Sequence, residues 1–313
     1  MTALRHKRLV VDAPASTANL GAGFDALALT VDLVDRVELT VRRKPGVTLR
    51  IEGEGRGTLP TDASNRFVVA LETGLRWALG ELPAGMGWTI RMTNGVPLAR
   101  GLGSSAAVTV AGLVAANALA GDPLDEHRLL ELALGLEGHA DNAAAAIFGG
   151  FVTVVAGEGP PIVARFDPPP RLRCVFFVPT LELATTRMRQ ALPAQVPYRD
   201  AVFNVGRASM AVAAFAAGRS EWLRVATQDR LHQGYRTSVF PALPALLDAA
   251  RSAGALGAAL SGSGSSVVAF TDSSEGSDEV AEALVRAAES AGLEGSVRVL
   301  HPRIAGAVVV EAD

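Results

Sequence analysis

Apolar positions along this chain follow two rhythms, a near-alternation that suits strands and a three-to-four spacing that suits helices. R-L-V-V-D-A-P, the long run A-L-A-L-T-V-D-L-V-D-R-V-E-L-T-V-R and then V-T-L-R-I-E-G predict strands between residues 8 and 53. From Ser64 to Leu79, Phe67, Val68, Leu71, Leu75 and Leu79 fall on one helical face, with Gly80 as the stop. W-T-I-R-M returns a strand. Residues 104–120 are apolar on every side, which predicts a helix enclosed all round. A second helix runs from Pro123 to Glu137, stopped by Gly138, and residues 137–155 read as a polar cluster, a short helix and a strand.

The stretch Gly157–Pro170 is rich in Gly and Pro and marks a boundary, dividing the chain into units 1–165 and 166–313. Beyond it lie a strand at R-L-R-C-V-F-F-V-P, a loop and short helix at E-L-A-T-T-R-M-R-Q-A-L-P, and helices through 198–228. The tail reads as helix 242–253, strand 256–260, the loop S-G-S-G-S, strand 266–271, helix 277–291 and two closing strands. Strand, helix, strand, strand, helix, strand suggests a ferredoxin-like layer, and the whole is of α+β class.

Two loops interrupt this pattern with residues suited to chemistry. In V-P-L-A-R-G-L-G-S-S-A-A, Gly101 and Gly103 allow backbone angles closed to other residues, and the free N–H groups of the following helix point back into the loop. Such a helix start attracts an anion, and Ser104 and Ser105 add hydroxyls for a phosphate or its metal. An ordinary capped core helix would use the same serines. G-L-G-S-S-A also satisfies the dinucleotide fingerprint, with Asp122 downstream, but Asp122 lies in a Gly121-Asp122-Pro123 turn that starts a helix, where the fingerprint needs a second strand. The other loop, residues 13–25, is A-P-A-S-T-A-N-L-G-A-G-F-D, a candidate substrate loop.

Composition narrows the chemistry. The 313 residues are 49% hydrophobic, ample for a large core, and the net charge of −3 carries no block of like charges. Neither nucleic acid nor a membrane is expected as a partner, and the N-terminus lacks the apolar stretch of a leader, so the cytoplasm is the expected location. The single cysteine, Cys174, sits in an apolar run and is expected to pack in a strand. Lys7 and Lys44 are the only lysines, so a Walker A or protein-kinase lysine in the body of the chain is absent, and a bound phosphate must rely on backbone, serine, arginine or metal.

Three blocks together resemble the GHMP small-molecule kinases: P-x-x-x-G-L-G-S-S-A-A at Pro97–Ala107, A-P-A-S-T-A-N-L-G-x-G-F-D at Ala13–Asp25, and S-G-S-G at Ser261–Gly264. Where mevalonate kinases and others of that family resemble A-P-G-K, this chain has Ala13-Pro14-Ala15-Ser16. With E-G-H-x-D-N at Glu137–Asn142, E-L-x-T-x-x-x-R-x-x-L-P at Glu182–Pro193 and Q-D-R-L-H-x-x-Y-R at Gln228–Arg236, it is similar to the branch that phosphorylates L-homoserine on the way to threonine. Departures are Ala22 for a proline, Ala143-Ala144-Ala145 after Asn142, and serine at 263 and 265. These loosen loops without removing a functional group.

The resemblance implies a two-domain GHMP kinase fold, with an N-terminal part like ribosomal protein S5 domain 2 and a ferredoxin-like C-terminal part. It implies ATP and Mg²⁺ as cofactors, L-homoserine as the small-molecule partner, and it admits a homodimer. ATP would lie on Pro97, Leu98, Ala99, Arg100, Gly101, Leu102, Gly103, Ser104, Ser105, Ala106 and Ala107, with Asn65 near the adenine. Substrate would meet Asn19, Asp25, His139, Arg189 and Arg236; an amino acid needs a guanidinium fork for its carboxylate and an acid for its ammonium, which Arg189 and Arg236 and then Asp25 supply. Arg187 reads as a solvated surface charge. Metal would sit on Ser104 and Glu137, with Ser105 and Glu131 as alternatives. Asn142 and Thr185 would lie beside the reacting hydroxyl. Its proton passes either to the γ-phosphate, with Asn142 orienting the alcohol, or to Asp141.

Overall fold

The computed structural model describes residues 4–313. Strand β1 (Arg8–Ala18) is buried from Leu9 onward and lies antiparallel to β2 (Leu27–Arg42). The first six residues of the expected substrate loop, 13–18, are therefore strand: their alternation of small side chains fits a sheet covered on both faces, and only residues 19–26 form the turn. β3 (Gly46–Gly53) follows, then helix α1 (Arg66–Leu79) and β4 (Gly87–Asn94), which runs parallel to β3 and antiparallel to β2.

α2 (Ser104–Ala120) is the all-round apolar helix and has nearly every residue buried. It crosses α1 so closely that a Cβ on Gly112 would lie 2.6 Å from the Phe67 carbonyl, and one on Gly74 2.6 Å from the Ala116 Cβ. Only hydrogen at both positions permits that crossing. α3 (Glu126–Glu137) is capped by Asp125 and ends on left-handed Gly138 at φ 78°, three residues before the start of the short α4 (Asp141–Phe148).

β5 (Phe151–Gly157) pairs with β2, and β6 (Gly159–Phe166) folds back on it as a hairpin. Most of the Gly- and Pro-rich stretch expected to be a boundary is thus a strand; β6 lies at the edge of its sheet, and Pro160 and Pro161 fall at the register shift between Val155 and Gly157, where neither is paired.

After β6 come β7 (Arg173–Pro179), α5 (Thr185–Gln190), α6 (Tyr198–Ala216), a 3₁₀ turn at Ser220–Trp222, α7 (Leu223–Ala226), α8 (Gln233–Arg236) and α9 (Leu243–Ser252). β8 (Gly257–Leu260), β9 (Val267–Thr271), α10 (Ser274–Ser290), β10 (Gly295–Leu300) and β11 (Val308–Ala312) complete the chain. The second sheet has the order β10-β7-β9-β8 with every pair antiparallel, the ferredoxin-like arrangement. Cys174 is buried in β7, and burial pushes its thiol pKa up, so it packs and does not react.

β11 leaves that sheet and pairs with β1, so the first sheet has seven strands with β11-β1-β2-β4-β3 along its main path. The last residues of the expected 166–313 unit thus close the sheet of the other unit. β11 covers an edge that β1 would otherwise expose.

Candidate active site

Between the two sheets lies a cavity of about 910 Å³, lined by residues 97 and 99–106, the segment Glu137–Asn142, Asn19, Asp25, Thr185, Arg189, Arg236 and Ser263. Its floor is the loop leading into α2. Gly101 and Gly103 both have φ 72°, and Gly103 is the left-handed residue just before the helix. A Cβ on Gly101 would stand 2.0 Å from the Ser261 carbonyl. The S-G-S-G loop can therefore dock here, its Ser261 Oγ 2.6 Å from the Gly101 carbonyl and 2.9 Å from the Thr17 hydroxyl. The Ser16 N–H donates to the Leu102 carbonyl and the Ser266 N–H to that of Arg100. With the loop's carbonyls engaged behind, no acceptor among the described residues pairs with the N–H groups from Gly101 to Ala106. They face a cavity at the positive end of a seventeen-residue helix.

Not every residue of the expected nucleotide set reaches this cavity. Ala107 is fully buried in the core, and Leu98 lies outside the wall. The Arg100 side chain turns away and donates to the carbonyls of Leu98, Pro179 and Thr180, which leaves its main chain as the part facing the cavity. Asn65 is the clearest departure: its Oδ1 caps α1 by accepting from the Phe67 N–H, its Nδ2 donates to the Pro60 carbonyl, and it does not line the cavity. Both ends of this buried amide are engaged in holding the start of α1, away from the cavity wall.

At the end of α3, the Glu137 side chain is buried and accepts from Arg66 Nη1 at 2.7 Å, Ser105 Oγ at 3.2 Å and the Thr109 hydroxyl. Ser105 and Thr109 are one turn apart on the same face of α2, so a single carboxylate reaches both. Ser105 is thus the serine bonded to Glu137, while Ser104 is buried beside it; Glu131 is paired with Arg128 and lies off the cavity. Thr109 is the missed member of this cluster, with the i+4 spacing from Ser105 as its signal.

The opposite wall holds the charged side chains. Arg189 grips Asp25 with two bonds of 2.8 and 2.9 Å. Arg236 is 1% exposed, yet its Nη1 finds only the Gly262 carbonyl at 3.2 Å and His232 Nδ1 at 3.0 Å, and its buried Nε has no partner. Burial and the nearby Arg189 lower its pKa to about 10, so it remains charged at neutral pH. Asn19 supports both walls, accepting from the Asp25 N–H and donating to the Gly262 carbonyl at 2.7 Å. Asn19, Leu20, Asp25 and Ala99 all have positive φ, and backbone strain of this kind gathers where a site over-determines its geometry.

Between floor and wall stand Asn142, Asp141, His139 and Thr185. Asn142 Oδ1 accepts from Ser16 Oγ at 2.9 Å, so Ser16, named only as part of a motif, orients that amide. Burial raises the Asp141 pKa, against the pull of His139, whose Nδ1 lies 3.7 Å away and is itself without a hydrogen-bond partner. Thr185 Oγ1 is 3.1 Å from Ser263 Oγ, joining α5 to the S-G-S-G loop. Arg187 lies outside the cavity.

Residues 66–150 match the family model "GHMP kinases N terminal domain" and residues 211–291 match "GHMP kinases C terminal". Relatives include proteins named homoserine kinase from Carboxydothermus hydrogenoformans, 39% identical over 94% of each chain, and from Moorella thermoacetica, 39% identical over 96% of this chain and 99% of that one. The crystal structure of homoserine kinase from Cytophaga hutchinsonii superposes with a TM-score of 0.88 at 32% identity, covering 98% of both chains. An L. major mevalonate kinase, in complex with R-mevalonate, shares the fold at TM-score 0.71 and 18% identity. Among the described residues no helix is long and apolar enough to cross a membrane.

Proposed function

The chain belongs to the GHMP kinases, and we propose from this premise that it transfers the γ-phosphoryl group of ATP to the side-chain hydroxyl of L-homoserine, giving O-phospho-L-homoserine. The observation that carries the reading is the opposition, across one cavity, of unpaired main-chain N–H groups on 101–106 and two arginines, buried Arg236 and half-buried Arg189, beside Asp25. One wall suits a triphosphate; the other suits an amino acid.

In the free protein Asp25 and Arg189 neutralise each other. A zwitterion can enter by exchange, its ammonium taking Asp25 and its carboxylate taking Arg189 and Arg236, so no buried charge is left unpaired. An alcohol lacking either charge would leave one side of that pair unanswered, which is the basis for selecting an amino acid over a sugar or mevalonate.

Transfer forms an O–P bond from the substrate hydroxyl and breaks the bond between the γ-phosphorus and the leaving ADP oxygen. Positioning and charge stabilisation dominate such a step. With its Oδ1 held by Ser16 and one amide hydrogen in a long 3.5 Å bond to Asp141 Oδ1, Asn142 keeps a second amide hydrogen to donate to the hydroxyl oxygen and aim it. The proton then goes to a γ-phosphate oxygen; a carboxamide cannot take it, and Asp141 is the competing acceptor. If Asp141→Asn keeps at least about a tenth of kcat while Asn142→Ala loses roughly a hundredfold, the phosphate route stands. Loss on Asp141→Asn alone makes Asp141 the base.

Glu137, Ser105 and Thr109 offer the hard oxygen donors that Mg²⁺ prefers, and one carboxylate suffices where phosphates supply further ligands. Among the described residues no cluster of three His, Cys, Asp or Glu is available for a metal without the nucleotide. Held by Glu137, Ser105 and Thr109, such an ion would supply charge neutralisation for the nucleotide's phosphates. Arg66, already on Glu137, adds a second positive group on that side.

The decisive experiment is ATP consumption by the purified protein with and without L-homoserine. Homoserine-dependent release of ADP and phosphohomoserine supports the reading. Turnover that depends on a different alcohol, or none at all, overturns it.

A further inference from the structure

Resting on the homoserine reading, we propose that His232 is a positioning residue for the carboxylate clamp: a neutral imidazole held in one tautomer, whose Nδ1 lone pair aims the Arg236 guanidinium and whose Nε2–H holds the Gly21 carbonyl.

The tautomer follows from the partners. An arginine side chain only donates, so the 3.0 Å contact between Arg236 Nη1 and His232 Nδ1 requires a lone pair on Nδ1. A neutral imidazole then carries its hydrogen on Nε2, which is 2.8 Å from the Gly21 carbonyl, an acceptor. Both contacts are satisfied by this one form. An imidazolium would set an N–H against the guanidinium, and the other neutral tautomer would break both contacts.

The surroundings favour the neutral ring. His232 is fully buried, and burial followed by the charge of Arg236 outweighs the attraction of Asp229, whose Oδ2 is 3.7 Å from Nε2, taking the imidazole to about 4. Asp25, from the loop opposite, is a weaker influence in the same direction as Asp229. Asp229 acts mainly on the backbone: it accepts the N–H groups of Leu231, His232 and Gln233 and the Asn204 amide, which fixes where the imidazole stands.

The consequence reaches both sides of the pocket. Gly21 lies in the turn between Asn19 and Asp25, so one imidazole ties the loop bearing the ammonium-binding acid to the arginine that receives the carboxylate. The Phe24 ring stacks on His232 at 5.0 Å and lies within 5.7 Å of Arg189 and 5.4 Å of Arg236, filling the space between the three. Without the Nδ1 acceptor, Arg236 keeps a single 3.2 Å bond to the Gly262 carbonyl and can swing out of register with the substrate.

Two substitutions separate the two ring nitrogens. His232→Gln places an amide donor near the Nε2 position and removes the acceptor for Arg236; His232→Asn places a carbonyl near the Nδ1 position and gives up Gly21. Expected for His232→Gln is a homoserine KM raised about tenfold or more, with kcat and the ATP KM within about threefold. His232→Asn recovers most of the lost homoserine affinity. The difference between them disappears with 3-aminopropan-1-ol, which is homoserine without its carboxylate. Equal effects of the two variants, or losses carried by kcat or by ATP, overturn the proposal.

An independent reading on the unsubstituted protein is the ¹⁵N shift of the His232 ring, expected to show protonated Nε2, bare Nδ1 and no titration between about pH 5 and 8. A protonated Nδ1 overturns the proposal even if neither variant folds. Should the unsubstituted protein consume no ATP with homoserine, the functional reading fails, and the ring's tautomer still decides whether His232 holds Arg236 as described.

Discussion

The two walls of the cavity are built in opposite ways. The wall proposed to face phosphate comes from one contiguous stretch, Pro97–Ala106, and offers main-chain N–H groups whose direction is set by two left-handed glycines and the start of α2. Most of the wall proposed to face the substrate is assembled from side chains at 19, 25, 189 and 236, held by the Gly262 carbonyl at the cavity's edge and by His232, which lies outside it. A backbone site depends on conformation and tolerates little there. A side-chain site depends on charge pairing and fails in proportion to the pairs removed.

The largest effect should follow from disturbing the backbone wall. In Gly103→Ala the new methyl would sit 2.5 Å from Ser16 Oγ and 3.0 Å from Asn142 Oδ1 at a φ of 72°. We expect kcat to fall about a hundredfold or more while calorimetry still detects homoserine binding. Loss of homoserine binding with intact turnover would invert the comparison. On the other wall, Arg189→Leu leaves Asp25 without its partner and should raise the homoserine KM by roughly 30-fold to 1,000-fold, with the ATP KM within about threefold. If steady-state kinetics show both KM values rising together, the walls are not separate.

A smaller effect probes what supports the phosphate loop from below. Asp35 is fully buried on β2, its Oδ1 accepting the N–H groups of Gly95 and Val96, the two residues before Pro97, while its Oδ2 has no partner. Burial pushes its pKa up to about 7, overcoming those two donated bonds. The folded protein therefore retains a proton that the unfolded chain releases near pH 4. Stability from this group is full below about pH 4, declines as pH rises to about 7 and is level beyond. Asp35→Asn keeps the acceptor and removes the buried charge, so at pH 8 it should stabilise the fold by about 1 to 4 kcal/mol and flatten that decline, as read by urea unfolding at pH 5 and pH 8. A destabilised variant at pH 8 would mean that the carboxylate is paired in a way not seen here.

The smallest effect concerns Asn65. As a helix cap, its replacement by alanine should cost about 1 kcal/mol of stability and leave the ATP KM within about twofold. A rise in the ATP KM with unchanged stability would return it to the nucleotide.

Much of this was legible before folding. The helical spacing 67, 68, 71, 75, the all-round apolarity of 104–120 and the Gly138 stop all reappear as α1, α2 and the end of α3, because local periodicity and glycine angles decide them. The polar residues at 137–142 were visible as a cluster, and five of these six positions carry a side chain at the cavity wall. Thr109 and Ser16 escaped notice as contributors, because a lone hydroxyl in an apolar helix or strand looks the same whether it packs or holds a carboxylate. His232 stood in a matched motif, but nothing near it in sequence reveals Gly21 as its partner.

By itself, the order of residues determined most of the helices and strands, the glycine stops that end several of them, and that a bound anion would be met by groups other than a lysine in the body of the chain. Tertiary structure alone decided that β11 returns to β1 and that Asp25, Arg189, Arg236 and His232 converge. Local rules act over one helical turn or one strand pair. Asp25 and Arg189 are 164 residues apart and His232 and Gly21 are 211 apart, so their meeting is set by how the two sheets pack, which no short window of sequence encodes.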